Sequence, residues 1–428
     1  MKITYILPEI TGGGIATYYK NLITPIVDTG NSVNIVLGDY KSDISNHDFP
    51  GNILQITEND YQEGWRKYIG LDIFPNIRHK CALSYACYKK AEKLNSDIIE
   101  ITDYNLLFYS FLTNKIVPVV IRLAGSSGQL ELHEHRDSDH IENILLLGIE
   151  RYLINEADYI IGLSKLNIDY WNKLLSKKSF LHLPYLNYPN IDATDKKTEK
   201  CRGVVVGRLQ LWKGAVFLCE FYKKYPSAPK VDWIGGDNYY KDHSKSMLSH
   251  LKKQYPDIID NHINFKGRLS YEETQKAIEN ADFVLIPSTW DTFNFVITEA
   301  MWKEKVVIVS TGAGASELVQ NDINGFVYKN NDLNSLMDAF NSYLKKTDHQ
   351  LSDIAKNAHI SIKNLLNNGQ LITDRISVYK NLINQPVSKN HEIQFIDNSL
   401  QAVSTKEIFK RKLSIREIFQ LILNKFSK

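Results

Sequence analysis

Residues 287–326 have the sequence PSTWDTFNFVITEAMWKEKVVIVSTGAGASELVQNDINGF. This stretch predicts a helix over residues 293–302 and then a strand over residues 306–309, with a glycine-bearing turn after it. Asp291 stands at the entrance of the helix, and Glu299 lies two turns further along. Eight positions at about 100° each return to within about 80° of the starting direction, so the two carboxylates can face one cleft.

Short β-branched or aromatic runs recur on the N-terminal side of this stretch, with helical segments between them. Strands that alternate with helices predict an α/β fold whose parallel sheets carry helices on both faces. The runs fall into two sets, separated by the polar segment 190–200, which predicts two such sheets. The predicted strands are residues 3–7, 33–37, 98–101, 117–121 and 159–163, then 203–206, 231–234, 263–265, 283–286 and 306–309.

The 428-residue length and the polar segment together predict three parts. We expect an N-terminal domain over residues 1–195, a C-terminal domain over residues 196–385 and a tail over residues 386–428. Whether the last helix of the second domain crosses back to the first is left open.

Composition excludes several classes of protein. A net charge of +2 gives no nucleic-acid signature, and 43% hydrophobic residues are typical of a globular chain. The four cysteines show no CxxC spacing, so neither a zinc site nor a disulfide framework is predicted. The apolar run 3–7 is too short for a signal peptide, and no run approaches the about 20 residues of a spanning helix. We therefore expect a cytoplasmic protein, with attachment to the inner face of the membrane left open.

Two cations follow the predicted strand 203–206. Arg208 and Lys213 lie five residues apart, and Gly214 opens the next helix. Cations beside a helix N-terminus form a site suited to a diphosphate. The alternative is a pair of solvated loop cations.

Glycine turns follow two other predicted strands. Gly12 to Gly14 let the backbone approach a ligand closely, although a plain strand-to-helix turn is the alternative. They do not form the GxGxxG pattern, which disfavours a nicotinamide or flavin site. Thr311 to Gly314 precede a predicted helix over residues 315–319, in whose first turn Glu317 is expected to be structural.

These motifs resemble the family 4 retaining glycosyltransferases of the GT-B fold, in which two Rossmann-like parallel-sheet domains face a central cleft. The resemblance is specific over residues 203–326 and weaker, though consistent in order, over the N-terminal half. The matching positions are Gly207-Arg208-Leu209, Lys213-Gly214, Pro287-Ser288, Asp291, Glu299-Ala300-Met301, Ala313-Gly314, Glu317 and Asn324-Gly325.

The resemblance implies a nucleotide-diphosphate sugar, linked to UDP or GDP, as co-substrate and no further cofactor. Arg208 and Lys213 would contact the diphosphate, Asp291 the transferred sugar and Glu299 the ribose hydroxyls. The other donor-binding positions that it implies are Gly13, Gly14, Arg268, Leu269, Phe293, Asn294 and Phe295.

The resemblance also implies a retaining reaction that needs no metal, because Arg208 and Lys213 supply the charge that stabilises the leaving diphosphate. Asp291 stands where the family usually has glutamate, and Asn294 where it usually has glycine. The histidine that many members carry is absent after strand 117–121, where Arg122 or the backbone of residues 124–127 would substitute. Asp103 and Tyr104 are weaker candidates for the acceptor side.

Residues 128–140, GQLELHEHRDSDH, contain three histidines among four acidic residues. A metal cluster is one interpretation of this stretch. Polar alternation after a Gly-Ser turn favours a mobile surface loop instead, and the resemblance would place that loop beside the acceptor.

The C-terminal tail mixes apolar and basic residues. Residues 406–428 carry seven Lys or Arg against two Glu, a local net charge of +5. A basic amphipathic helix can lie on an anionic bilayer, and packing on the body or on a partner protein is the alternative.

The sequence thus predicts a glycosyltransferase acting on a glycan, lipid-linked or protein acceptor in bacterial surface polysaccharide or glycoconjugate synthesis. Two alternatives remain open. One is a GT-B phosphorylase or epimerase. The other is a catalytically silent GT-B partner or glycan-binding subunit.

Overall fold

A computed structural model of the protein describes residues 1–10, 13–44, 49–134, 140–188, 202–240, 242–388 and 390–400. The polar segment 190–200 and the basic residues 406–428 therefore lie outside the described residues, as do Gly12 and residues 135–139.

The strands and helices alternate along most of the chain, as the sequence predicts. The strands are β1 Lys2–Leu7, β2 Ser32–Leu37, β3 Asn52–Gln55, β4 Ile98–Thr102, β5 Val119–Leu123, β6 Tyr159–Gly162, β7 Phe180–Leu181, β8 Arg202–Val206, β9 Lys230–Ile234, β10 Tyr239–Tyr240, β11 Asp242–Ser246, β12 Ile263–Gly267, β13 Phe283–Ile286, β14 Val306–Ser310 and β15 Phe326–Tyr328. The α-helices are α1 Gly13–Asp28, α2 Glu58–Lys67, α3 Pro75–Ala91, α4 Tyr109–Thr113, α5 Ser127–Glu134, α6 His140–Ile154, α7 Lys165–Asn172, α8 Ala215–Lys224, α9 Met247–Gln254, α10 Tyr271–Asn280, α11 Phe295–Trp302, α12 Leu333–Leu344, α13 Asp348–Leu366, α14 Gly369–Ile383 and α15 His391–Ser399.

The N-terminal half is built on a seven-stranded sheet in the order β3-β2-β1-β4-β5-β6-β7. All of its neighbouring strands are parallel. Every residue of β4 and of β5 is buried, because helices cover both faces. The chain leaves β1 toward β2 on one side and returns at β4 on the other, so the strand order reverses between β1 and β4.

The C-terminal half is built on a six-stranded parallel sheet in the order β12-β9-β8-β13-β14-β15. Here the strand order reverses between β8 and β13. Ligands of open parallel sheets bind beyond the carboxyl ends of the strands at such a reversal. The loops after β8 and β13 are therefore the loops in which a site is expected.

Helix α14 follows the second sheet along the chain but packs on the first. Arg375 in α14 donates from Nη1 to Glu100 Oε2 of β4 at 2.8 Å and from Nη2 to the Tyr18 hydroxyl at 2.9 Å. The Tyr379 hydroxyl donates to the same Glu100 oxygen at 2.5 Å. The Arg375 and Glu100 side chains are 2% and 0% exposed, so this ion pair is enclosed between the helix and the sheet.

Two local predictions differ from the structure. The predicted helix over residues 315–319 is a short 3-10 helix, Gly314–Leu318. Residues 127–134, most of which were predicted to be surface loop, form helix α5. The carboxylate of Glu150, in α6, orders the start of α5. It accepts hydrogen bonds from the Ser126 hydroxyl at 2.6 Å and from the Gly128 amide at 3.0 Å. Among the described helices, none has both the length and the apolar character that crossing a membrane requires.

Candidate active site

The loop after β8 leads directly into helix α8. Gly214 caps α8 with a backbone φ of +87°, and a side-chain carbon built there would lie 1.9 Å from the carbonyl oxygen of Pro287. Only glycine combines this left-handed conformation with such a close approach. The loop therefore packs on the end of β13, which brings Lys213 next to the residues that follow Pro287.

Lys213 forms an ion pair with Asp291. Its Nζ lies 2.5 Å from Asp291 Oδ2, and the two side chains are 17% and 10% exposed. The same Nζ lies 4.3 Å from the centre of the Trp212 ring, within the range of a cation–π contact. Arg208, the other predicted phosphate ligand, is exposed. The two predicted loops thus meet where the strand order reverses.

The backbone around Asp291 is tied to the turn after β14. The Asp291 amide donates to the Gly312 carbonyl at 2.9 Å, and the Gly314 amide donates to the Asp291 carbonyl at 3.0 Å. The Ala315 amide donates to the Phe293 carbonyl at 2.6 Å. These hydrogen bonds leave the Asp291 backbone little freedom, so its carboxylate is held in place before any ligand binds.

Asn294 caps helix α11 in a left-handed conformation, with φ at +74°. Asparagine tolerates this region better than most residues, which explains how it replaces the glycine of the family pattern. Its Nδ2 donates to the Ser288 hydroxyl at 3.3 Å. Within the described part of the chain, the buried Oδ1 has no hydrogen-bond partner. It is thus a buried acceptor beside the start of α11.

Glu299 lies on α11 and is half-buried. Gln275 of α10 donates from Nε2 to Glu299 Oε2 at 3.4 Å. Burial raises the pKa of Glu299 to about 7, although the Gln275 hydrogen bond and the positive charge of Lys303 lower it. Asp291 and Glu299 are therefore held by different partners, Lys213 and Gln275, and have different electrostatic environments.

The turn after β12 carries Arg268, which is exposed, and Leu269, which is partly buried. Partial burial raises the pKa of Glu9, while the positive charges of Arg208 and Arg268 lower it. Both arginines therefore lie within electrostatic range of the loop after β1. The Pro8-Glu9 end of that strand was not identified from the sequence, because nothing local links it to the second sheet.

The glycines after β1 and the aromatic residues before α11 meet across the two halves. A side-chain carbon built at Gly14 would lie 3.0 Å from Cδ2 of Phe295. The Phe293 and Phe295 rings are 5.0 Å apart, and Phe293 is buried. Gly13 follows residues 11–12, which lie outside the described residues. Gly14 of the first half therefore lies next to Phe295 of the second half, on the side where a cleft between the two sheets would be.

The candidate acceptor residues are less accessible. Asp103 is fully buried, its Oδ1 accepts from the Ala124 amide at 2.6 Å, and burial raises its pKa to about 7. Arg122 is 2% exposed, with its guanidinium 4.3 Å from the centre of the Tyr18 ring. Tyr104 is partly buried at the start of a short 3-10 helix. Asp103 therefore links the ends of β4 and β5, and Arg122 packs β5 against α1.

The sequence did not identify His133 as a contact between the halves. Its ring stacks on Trp290 at 4.2 Å between centres, with 10° between the planes. Trp290 also contacts Trp212 edge to face, at 5.5 Å. A histidine in a polar stretch carries no local signal for such a contact. Among the described residues, no group of three His, Cys, Asp or Glu could hold a metal ion.

Comparison with known proteins agrees with this arrangement. Residues 190–360 match the family model for glycosyl transferases group 1. An uncharacterized glycosyltransferase of Methanocaldococcus jannaschii is 23% identical over 308 residues, which are 68% of this chain and 81% of the relative. In three further relatives, the match spans less than half of the relative's own length.

Solved structures extend the similarity to both sheets. Sucrose-phosphate synthase from Thermosynechococcus elongatus superposes with a TM-score of 0.67 at 16% identity, over 89% of this chain and 99% of the other. Anabaena HepE in complex with UDP and glucose gives 0.64 at 18% identity, over 89% of this chain and 100% of the other. The fold is GT-B, and the family match supports a glycosyltransferase.

Proposed function

We propose that the protein is a retaining glycosyltransferase of family 4 that uses a UDP- or GDP-sugar as donor. The observation that carries the proposal is the Lys213–Asp291 ion pair at the strand-order reversal of the second sheet. In the proposed site, Lys213 and Arg208 bind the diphosphate and Asp291 contacts the transferred sugar. Glu299 accepts hydrogen bonds from the ribose hydroxyls, which suits a carboxylate.

Gly13 and Gly14 would approach the donor from the first half, and Arg268 and Leu269 would border the base. The amides at residues 293–295 would support the sugar, where Asn294 Oδ1 adds a side-chain acceptor. The acceptor would enter from the first half. Since Asp103 and Arg122 are buried, we propose that they shape the acceptor side indirectly. Asp103 would hold the loop that begins at Ala124, and Arg122 would hold α1 through its contacts with Tyr18 and Tyr19.

The proposed reaction breaks the bond between the anomeric carbon and the diphosphate oxygen. The acceptor oxygen forms its bond to the anomeric carbon on the same face, and its proton passes to the departing diphosphate. Negative charge develops on that diphosphate, where the fixed cations Arg208 and Lys213 stabilise it. The scheme therefore needs no metal ion and no side-chain base.

The biological setting is also a proposal. We place the protein in the cytoplasm, in bacterial surface polysaccharide or glycoconjugate synthesis, with a glycan, lipid-linked or protein acceptor. Domains over residues 1–195 and 196–385 would enclose the donor, and the basic tail would contact the inner face of the membrane. Equal binding of the intact and tail-deleted proteins to anionic vesicles would refute that contact.

A silent GT-B partner or glycan-binding subunit is the second candidate function. The observation that favours it is that Asp291, shorter than the usual glutamate, is already occupied by Lys213. In that case the pair would stabilise the cleft without ever contacting a donor sugar.

Released UDP or GDP, measured with a panel of nucleotide sugars and acceptors, tests the proposal. We expect turnover that EDTA leaves unchanged and a product whose anomeric configuration, read by NMR, matches that of the donor. Arg208→Ala should lower the rate on the order of a hundredfold, because one charge contact to the leaving group is lost. Conversion of the donor sugar without an acceptor would indicate an epimerase, and formation of a sugar phosphate from a glycan and inorganic phosphate would indicate a phosphorylase. No turnover with any donor would favour the silent partner.

A further inference from the structure

The loop that carries Asp291 is hydrogen-bonded to the first half of the chain through two groups of Thr292, its hydroxyl and its carbonyl. The Thr292 hydroxyl donates to the Ala124 carbonyl at 3.2 Å. The Ser164 hydroxyl donates to the Thr292 carbonyl at 2.6 Å. These two bonds connect the residue after Asp291 to the loops that follow β5 and β6.

Glu317, from the second half, binds the first turn of helix α7 in the first half. The Lys165 amide donates to the two Glu317 carboxylate oxygens at 2.9 and 3.2 Å. A helix N-terminus leaves such amides unpaired and favours a negative charge beside them. Ser164 is the N-cap of the same helix, where its hydroxyl accepts from the Asn167 amide at 3.3 Å. The N-terminus of α7 is therefore completed by a residue from the opposite half.

Gly314 lies at the centre of this junction. A side-chain carbon built there would lie 2.2 Å from the Thr292 carbonyl oxygen and 2.5 Å from the Ser164 hydroxyl. The Gly314 amide itself donates to the Asp291 carbonyl. Any movement of α7 away from the second half therefore acts directly on the backbone that holds Asp291.

We infer that Ser164 and Glu317 are positioning residues that couple the docking of the two halves to the placement of Asp291. The inference rests on the proposed function, in which Asp291 contacts the donor sugar. When α7 is docked, the hydroxyl of Ser164 and the carboxylate of Glu317 hold the Asp291 loop in the geometry for transfer. When α7 is undocked, that loop loses its bonds to the first half.

The ribose end of the proposed site uses this junction less than the sugar end does, because only Gly13 and Gly14 would reach the donor from the first half. Glu299 is held by Gln275, and both lie in the second half. Loss of the junction should therefore slow sugar transfer by a much larger factor than it weakens nucleotide binding. A residue that only stabilised the fold would not produce this separation.

The test compares Glu317→Ala and Glu317→Gln, with Asp338→Ala as the matched control. Asp338 is an exposed acid on α12. We expect Glu317→Ala to lower kcat roughly 10- to 100-fold, as small misplacements of reacting groups do. Calorimetric Kd values for UDP and GDP should rise by a much smaller factor than kcat falls, because the contacts within the second half remain. Glu317→Gln should recover most of the rate, since its amide oxygen still accepts from Lys165. Asp338→Ala should match the wild type.

Small-angle X-ray scattering provides a measurement that needs no turnover. We expect a larger radius of gyration for Glu317→Ala than for the wild type and for Asp338→Ala. Equal radii, or a kcat equal to that of Asp338→Ala, would overturn the inference. The inference would also fail if nucleotide affinity fell by the same factor as kcat and the melting temperature fell with it. If the wild type transfers no sugar, the proposed function fails, and the scattering comparison still decides whether Glu317 docks the two halves.

Discussion

Two of the ion pairs among the described residues have similar distances but very different surroundings. Arg375 and Glu100 are 2.8 Å apart and at most 2% exposed, while Lys213 and Asp291 are 2.5 Å apart and 10 to 17% exposed. The first pair also bonds to two buried tyrosine hydroxyls, since Arg375 Nη2 donates to Tyr18 and the Tyr379 hydroxyl donates to Glu100 Oε2. The second lies where two loops meet at a strand-order reversal. Distance alone therefore does not distinguish a structural ion pair from a candidate site.

The difference lies in what each pair can still bind. Solvent, and hence a ligand, reaches Lys213 and Asp291, and a lysine ammonium has three donors. The pair between α14 and β4 has no such access, and its role is to fix α14 on the first sheet. Removing one charge from each pair should therefore have opposite consequences, a large loss of stability in one case and a large loss of activity in the other.

The largest effect is expected for Arg375→Ala. This change leaves the Glu100 carboxylate buried without its cation, which should lower the free energy of unfolding by about 3–5 kcal/mol. Urea unfolding followed by circular dichroism would show the loss as a lower midpoint. The paired replacement of Arg375→Met with Glu100→Gln should cost much less, because no buried charge remains. An unchanged midpoint for Arg375→Ala would show that the pair does not hold α14.

Lys213→Met is expected to have the next largest effect. Losing one fixed charge beside the leaving diphosphate should raise the barrier to transfer by about 2.7–4 kcal/mol, a 10²–10³-fold slower reaction. The free energy of unfolding should fall less than in Arg375→Ala, because the Asp291 side chain that remains is 10% exposed and is not fully enclosed. Lys224→Met is the matched control, because Lys224 is an exposed lysine of α8 that binds Asn334. A variant that loses stability but keeps its rate would place Lys213 with the structural pairs.

The alternation of strands and helices was sufficient to predict two parallel sheets, because fully buried strands and intervening helices have distinct sequence patterns. The sequence also identified the loops that carry Lys213 and Asp291. It did not predict that the two side chains form an ion pair. That contact requires β8 and β13 to be neighbours, and strand order depends on packing over the whole sheet.

The acceptor side was harder to predict for a physical reason. In strands that are buried on both faces, the sequence does not alternate between polar and apolar residues. It therefore gives no signal for which way Arg122 of β5, or Asp103 directly after β4, points. The predicted surface loop was wrong over residues 128–134 for a related reason. The Glu150 carboxylate that orders the start of α5 comes from 22 residues further along the chain. Long-range hydrogen bonds of this kind have no local signature.

The smallest expected effect concerns the pH dependence of Glu299. Its pKa is raised to about 7 because burial disfavours the charged form. Only the ionised carboxylate offers both oxygens as acceptors to ribose hydroxyls, so donor affinity should fall as pH falls through 7. Between pH 8 and pH 6 the ionised fraction drops about tenfold, and Kd should rise by about the same factor. Calorimetry with UDP-glucose and GDP-glucose measures this cleanly, because their diphosphate diesters do not titrate in that range.

Two variants test whether Glu299 controls donor binding. Glu299→Gln has no titrating carboxyl group, so its donor affinity should be weak and independent of pH between 6 and 8. Gln275→Met removes the hydrogen bond that favours the ionised form, so the midpoint of the affinity profile should move to higher pH. A profile that keeps its shape in Glu299→Gln would show that another group controls donor binding. Because the groups that shift the Glu299 pKa belong to neither ion pair, its profile should also be unchanged in the paired replacement of Arg375→Met with Glu100→Gln.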